Sequence, residues 1–287
     1  MANRLGLLCS TDHLPAPDLA AFALEIERLG YDSLWIPELF GREPLATAGY
    51  LIAKTARIGI ATGIANVYAR DAAAAAQARR TLAELSGGRF TLGLGVSHPQ
   101  IAALRGHEWI APVAKVRAYL DAMDRVQSQS PAPAVAAPVV IAGHGPKLLA
   151  LAAERADGAH TYLVTPEHTK RARAILGPGK SLRVVLPFQV ESDPARANAA
   201  ARAGLAIYLQ FPAYHRMWRT LGLADADWTG QASDRLIDSV AACGPAERVR
   251  ARAREYLDAG ASQILFSPLK QVRLSGAIYD ALQALAT

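Results

Sequence analysis

Acids, histidines and glycines in this chain recur where short apolar runs end. The run Leu34, Trp35, Ile36 stops at Pro37, and Glu38 follows at once, ahead of Leu39 and Phe40. A carboxylate between apolar residues is costly to bury unless something pairs with it. A bound ligand is therefore expected beside Glu38. Other apolar runs end the same way: STDH carries Asp12 and His13, then come TGIANVYARD, GVSHP, GHGPK and the stretch from Tyr162 to His168. If these runs are parallel strands, the polar ends share one face and describe the rim of a pocket.

GHGPK (Gly143, His144, Gly145, Pro146, Lys147) is the strongest single signal. Its glycines let backbone approach a ligand closely. Pro146 suits the first position of a helix. The free N–H groups there, aided by the helix dipole, suit a phosphate. The stretch is not a Walker motif, and a plain strand-to-helix turn is the competing reading. GLGVSHP fails as a dinucleotide fingerprint, because His98 stands where the third glycine belongs. It fails as a hydrolase elbow, because Pro99 holds the last position. It remains a glycine turn presenting Ser97 and His98, and His98 can bind an anion or move a proton near neutral pH. The seven histidines form neither H-x-H nor H-E-x-x-H, so no metal site is expected.

Strands must position these groups. Candidate strands are Arg4–Cys9, Ser33–Ile36, Arg57–Thr62, Phe90–Leu94, Val139–Ala142, Gly158–Leu163, Leu182–Val190 and Gln263–Ser267. Ala-rich helical stretches alternate with them, for example Leu19–Leu29, Ala72–Leu85, Val113–Val126, Lys147–Arg155, Glu167–Leu176 and Ala246–Ala259. Eight strands with crossover helices predict an α/β fold, a (β/α)8 TIM barrel, in a single domain over 1–287. The interval from strand 7 to strand 8 is too long for one helix. Residues 194–240 are read as a helical insertion carrying Tyr208, Phe211, Tyr214, Trp218 and Trp228, packing over the barrel mouth or against another subunit, with a helical subdomain around its own small core as the competing reading. QSQSPAPAVAAP (127–138) reads as a loop.

The chain has 287 residues, 51% of them hydrophobic, and a net charge of +6. Its Lys and Arg are mixed with acids, which favours solvated helix faces over a nucleic-acid surface. No stretch suits a membrane span and the start lacks a secretory core, so a cytoplasmic protein is expected. Cys9 and Cys243 read as free thiols.

SLWIPELFGRE, ATGIANVYARD, GRFTLGLGVSHP and GPKLLALAAERADGAHTYLVTPEH, taken in order, resemble the bacterial-luciferase-like superfamily, and within it the coenzyme F420-dependent oxidoreductases. The resemblance runs from about Arg4 to His168. It implies the same barrel with an insertion after strand 7, and a homodimer. It implies a non-proline cis peptide at Gly63–Ile64 beneath the flavin-like ring, with Asn66 at the ring edge. Gly95, Ser97 and His98 would line the ring, and Gly143 to Pro146 would hold the cofactor phosphate. Arg70, just past the bulge, could contact anionic groups, but pairing with Asp71 or a place on a helix face is the favoured expectation. Sugar-phosphate-oxidising relatives place a base after the strand-end acid and a Glu general acid further on. Here Leu39 and His98 hold those positions, so Glu38 keeps only the ring contact and that substrate class is disfavoured. The expected activity is hydride transfer between F420 and an unidentified small organic substrate, with His98, or failing it His13, exchanging the proton. An FMN-dependent monooxygenase is the first alternative, and a non-catalytic F420- or flavin-binding protein the second.

Overall fold

The computed structural model describes residues 5–270 and 276–286; Arg4, the expected first residue of strand 1, lies outside them. The strands are β1 (Leu5–Leu8), β2 (Ser33–Ile36), β3 (Gly59–Thr62), β4 (Ala65–Asn66), β5 (Phe90–Gly95), β6 (Val139–Ala142), β7 (Gly158–Tyr162), β8 (Ser181–Val190), β9 (Ala242–Gly244) and β10 (Gln263–Pro268). The helices are α1 (Ala16–Arg28), α2 (Pro44–Lys54), α3 (Ala72–Ser86), α4 (Pro99–Leu104), α5 (Pro112–Asp124), α6 (Pro146–Arg155), α7 (Pro166–Leu176), α8 (Pro194–Leu205), α9 (Pro212–Arg219), α10 (Asp234–Val240), α11 (Ala246–Asp258) and α12 (Gly276–Ala286).

Eight parallel strands close a barrel in the order β1, β2, β3, β5, β6, β7, β8, β10, with β10 pairing back to β1. All eight coincide with expected strands to within two residues at each described end. Pro opens α2, α4, α5, α6, α7, α8 and α9, where its missing N–H removes no helical bond. Side-chain caps reinforce several starts: Asp71 accepts from Ala74 N, Thr165 from His168 N, and Ser233 from Leu236 N. Helices α2 and α12 follow the second and eighth barrel strands, where a (β/α)8 barrel requires a helix, and α4 is an additional short one.

Alternation along the strands builds two apolar layers. Trp35, Ala61, Val140, Val185 and Leu265 fill the barrel interior. Their neighbours Leu34, Ile60, Ile141, Val184 and Ile264 face outward into the larger core shared with the helices. The expected insertion is α8, α9 and α10 with two short 3-10 turns, between the seventh and eighth barrel strands. It covers the mouth and also holds a small core of its own. Trp218, Trp228 and His215 stack into a local cluster, and Tyr208, Phe211 and Tyr214 pack over the barrel mouth.

One irregularity positions the site. Ala61 pairs with Thr91, and Ala65 pairs with Leu94. Four residues on one side span three on the other, so β3 and β4 enclose a bulge of one extra residue. Within it the Gly63–Ile64 peptide is cis. Thr62 bridges the gap: its Oγ1 accepts from Gly93 N at 2.9 Å and donates to Gly93 O at 2.8 Å. A Cβ on Gly93 would lie 2.0 Å from Thr62 O, so only glycine allows this approach.

Candidate active site

The C-terminal strand ends hold the predicted residues on one face. Glu38, just past β2, is buried, and its carboxylate is already satisfied. It accepts from Arg70 Nη2 at 2.6 Å, Arg70 Nη1 at 2.9 Å and Asn66 N at 2.7 Å. Arg105 Nη2 lies 3.7 Å from the same carboxylate. Arg70 also reaches Glu43 Oε1 at 2.8 Å. This corrects the expected pairing of Arg70 with Asp71, whose side chain is spent capping α3. Burial disfavours the Arg70 charge, but hydrogen bonding to Glu38 and the charges of Glu38 and Glu43 outweigh it and hold the guanidinium above its ordinary pKa. Arg70 and Arg105 thus satisfy this strand-end acid from within the chain, where the sequence pointed to a ligand. Beside them a cavity of about 640 Å3 opens toward α2 and α3, lined by Leu39, Phe40 and Arg42 among others.

Asn66 is 1% exposed. Its Oδ1 accepts from Tyr68 N at 2.9 Å, while its Nδ2 has no hydrogen-bond partner among the described residues. A buried donor without an acceptor is rare and expensive. Gly95 pairs with Asn66 across β4 and β5, and a Cβ on it would meet the Ile64 side chain at 2.8 Å. Gly63, Ile64, Asn66 and Gly95 thus form one patch at the barrel mouth. Beyond β5, Ser97 adopts a left-handed backbone (φ 58°), which turns the chain so that His98 precedes α4.

The His98 ring stacks on Phe211 at 3.7 Å with 7° between planes, and tilts toward Tyr214 at 5.9 Å. Burial pushes its pKa down to about 4, so it is neutral at pH 7. His144 packs on the same Tyr214 at 5.1 Å, and burial with neighbouring histidines pushes it down to about 3. Tyr214 therefore joins His98 to the Gly143–Pro146 turn. There His144 O accepts from His168 Nε2 at 2.8 Å, Gly145 occupies the N-cap of α6, and a Cβ on it would meet nothing within 4 Å. Open space before a ten-residue helix can receive a phosphate. His13 lies exposed in the turn after β1, where it contributes to no contact described for His98 or Asn66. Among the described residues no group of His, Cys, Asp and Glu could hold a metal ion. No helix among them is long and apolar enough to cross a membrane.

Tyr162, Tyr208, Phe211 and Tyr214 also belong to the mouth. The aromatic richness of the insertion was visible in the sequence, but its partners His98, His144 and Tyr162 were not.

Known proteins carry related sequence and structure. The 5,10-methylenetetrahydromethanopterin reductase of Methanolobus tindarius is 27% identical over 296 aligned residues, covering 88% of this chain and 90% of that one. An F420-dependent secondary alcohol dehydrogenase, solved with an F420–acetone adduct, superposes with a TM-score of 0.78 at 18% identity, covering 100% of this chain and 98% of that one. The oxygenating constituent of 3,6-diketocamphane monooxygenase from Pseudomonas putida, solved with FMN, gives 0.72 at 15% identity, with 99% and 97% covered. The family model for luciferase-like monooxygenases matches residues 3–263. This chain belongs to the luciferase-like monooxygenase family.

Proposed function

We propose that the protein is an F420-dependent oxidoreductase that moves a hydride between the deazaflavin and a small organic substrate. The observation that carries this reading is Asn66 Nδ2, a buried donor without an acceptor, set beside the 63–64 bulge. With the open N-terminus of α6, it fits a flat ring with a polar edge and a phosphate-bearing tail. The relatives named as a methylenetetrahydromethanopterin reductase and an F420-dependent dehydrogenase support F420. When bound, F420 supplies two-electron hydride chemistry.

Each residue then has a task. Asn66 donates to the ring edge, and Gly63, Ile64 and Gly95 form the surface beneath the ring. Ser97 and His98 line its margin. Gly143, His144, Gly145 and Pro146 present the first turn of α6 to the phosphate. Glu38 acts at one remove from the expected ring contact, because its oxygens hold Arg70 and the Asn66 backbone N–H. It positions the Asn66 segment. His98, neutral and half-buried among rings, exchanges the substrate proton, with His13 as the alternative. The reading places the enzyme in the cytoplasm as a homodimer, which light scattering on the purified protein tests.

Titration of purified protein with F420 and with FMN, followed by cofactor fluorescence, tests the cofactor. Saturable F420 binding that Asn66→Ala weakens is the expected result. Tight FMN binding with none for F420 would instead support an FMN-dependent monooxygenase, a reading favoured by the fold shared with the FMN-bound oxygenating protein.

A further inference from the structure

The cavity beside Glu38 has no task in the ring and phosphate contacts assigned above. It lies between the loop after β2, the start of α2 and the first half of α3, with a volume of about 640 Å3. Five charged side chains line it: Glu38, Glu43, Arg42, Arg70 and Arg105. Positive charge is in excess, and its pairing is uneven.

Both acids are already spent. Glu38 accepts from both Nη atoms of Arg70 and from Asn66 N. Glu43 accepts from Arg70 Nη2 at 2.8 Å on one oxygen and from Ala46 N at 2.6 Å on the other. Arg70 thus takes both carboxylates. Arg42 and Arg105 are left with neutral acceptors: Arg42 donates to the carbonyls of Thr11 and Leu14, and Arg105 Nη2 donates to Leu39 O at 2.8 Å. Arg105 approaches Glu38 only to 3.7 Å, beyond a hydrogen bond. Its Nε is buried and has no hydrogen-bond partner among the described residues. A guanidinium with donors to spare suits a carboxylate, which it can hold through two parallel bonds.

The rest of the lining is apolar. Ala74 and Ala78 stand one turn apart on α3, whose alanine-rich start leaves space beside the helix, and Leu45 faces the same cavity from α2. Leu39 and Phe40 also line it and are largely exposed, and the Arg105 guanidinium lies 5.4 Å from the centre of the Phe40 ring. Exposed apolar residues beside an under-used cation fit a ligand with an apolar body and a negative end.

We propose that this cavity binds an apolar organic carboxylate, whose carboxylate pairs with Arg105 and whose body lies against Phe40, Leu45 and the α3 alanines. The site is separate from the proposed ring and phosphate contacts: of the residues given a task there, only Glu38 reaches it, and its oxygens are occupied. A neutral ligand of the same shape leaves Arg105 unpaired, and an inorganic anion leaves the apolar lining wet, so neither binds comparably.

Calorimetry on the full chain without cofactor tests this with 2-naphthoate, the isosteric 2-naphthamide and inorganic phosphate. The carboxylate should bind at least about tenfold tighter than either of the others. Arg105→Gln should weaken 2-naphthoate by about tenfold and leave 2-naphthamide unchanged. Ala78→Leu, which keeps a good helix former, should weaken both naphthalene ligands by filling the space. Melting of the two variants with the wild type separates a lost contact from a lost fold, and if Ala78→Leu melts early, Arg105→Gln decides. No binding of 2-naphthoate at about 1 mM overturns the proposal. So does equal affinity for acid and amide, phosphate that binds as tightly as 2-naphthoate, or an Arg105→Gln variant that binds 2-naphthoate like the wild type. Displacement of bound F420 by 2-naphthoate would make the cavity part of the cofactor site and also overturn it. Because the calorimetry needs no cofactor, failure to bind F420 leaves this result standing, and failure here leaves the F420 titration standing.

Discussion

Removing the Glu38 carboxylate tests the network that anchors the site. Glu38→Gln keeps the side-chain shape but replaces one oxygen with an NH2 group. Three donors converge on that carboxylate, two from Arg70 and one from Asn66 N, so one of them must then face another donor. The Glu38 and Arg70 side chains are only 6% and 11% exposed, so water cannot easily substitute. Breaking one side of a buried ion pair costs about 3–5 kcal/mol. Arg70 keeps its bond to the more exposed Glu43, which lowers the expected loss to about 2–4 kcal/mol. That corresponds to a fall in Tm of roughly 5–12 °C for a chain of this size. Arg70→Gln should lose a similar amount. The double variant should be less damaging than the sum of the singles by at least about 1 kcal/mol, the mark of direct coupling. Equilibrium urea unfolding of the four proteins gives the cycle. Additivity within about 0.5 kcal/mol would refute the argument that these groups exchange their bonds with each other rather than with solvent.

Other expectations concern packing, titration and the ring edge. Gly93→Ala should abolish stable folding or lower Tm by more than 10 °C, since its Cβ would meet backbone at 2.0 Å; unchanged melting would mean that β3 and β5 are not held so closely. His160 is buried, stacked on Trp35, and pushed down to about 4 by burial and then by Arg183. The unfolded chain takes up this proton near pH 6.5 and the folded one only near 4, so stability falls as pH drops through that window. At pH 5.5 the loss from His160 alone is on the order of 1 kcal/mol. Melting curves from pH 7.5 to 5.5 should show it, and His160→Asn should make the slope shallower while His98 and His144 keep their share; a variant profile as steep as the wild type would contradict the assignment. Asn66→Ala should weaken F420 binding by about 3- to 10-fold, the worth of one hydrogen bond, in fluorescence titration; unchanged affinity would remove Asn66 from the ring edge.

Alternation of short β-branched runs with Ala-rich helices made the barrel legible. SLWI and VVIA have the expected boundaries. Local chemistry was equally readable where it acts over a few residues: Pro146 does open α6, and the turn before it is open. Bonds between distant segments were not readable. Nothing in SLWIPELFGRE says that the partner of its acid lies 32 residues away, because the bulge that turns Arg70 inward is a matter of register rather than residue type. PLATAGYLIAK is apolar nearly all round, so α2 carries no readable stripe, and the six residues of α4 give too little period to read. The aromatic roof was seen as composition, and its seat on His98 only in three dimensions.

The extra residue between β3 and β4 also acts as a change of phase. Ala61 points into the barrel, and in an unbroken strand Ala65, four residues on, would point there too. Instead Ala65 belongs to the outer core with the helices. The parity of the strand has been inverted, and every side chain after it is exchanged between inside and outside. Asn66 faces the barrel mouth because of that inversion. Deleting one residue at 63 or 64 would restore the original phase and turn the amide toward the helices with no change in residue type at the rim. The position of this buried, unpartnered amide is thus encoded in a count of residues.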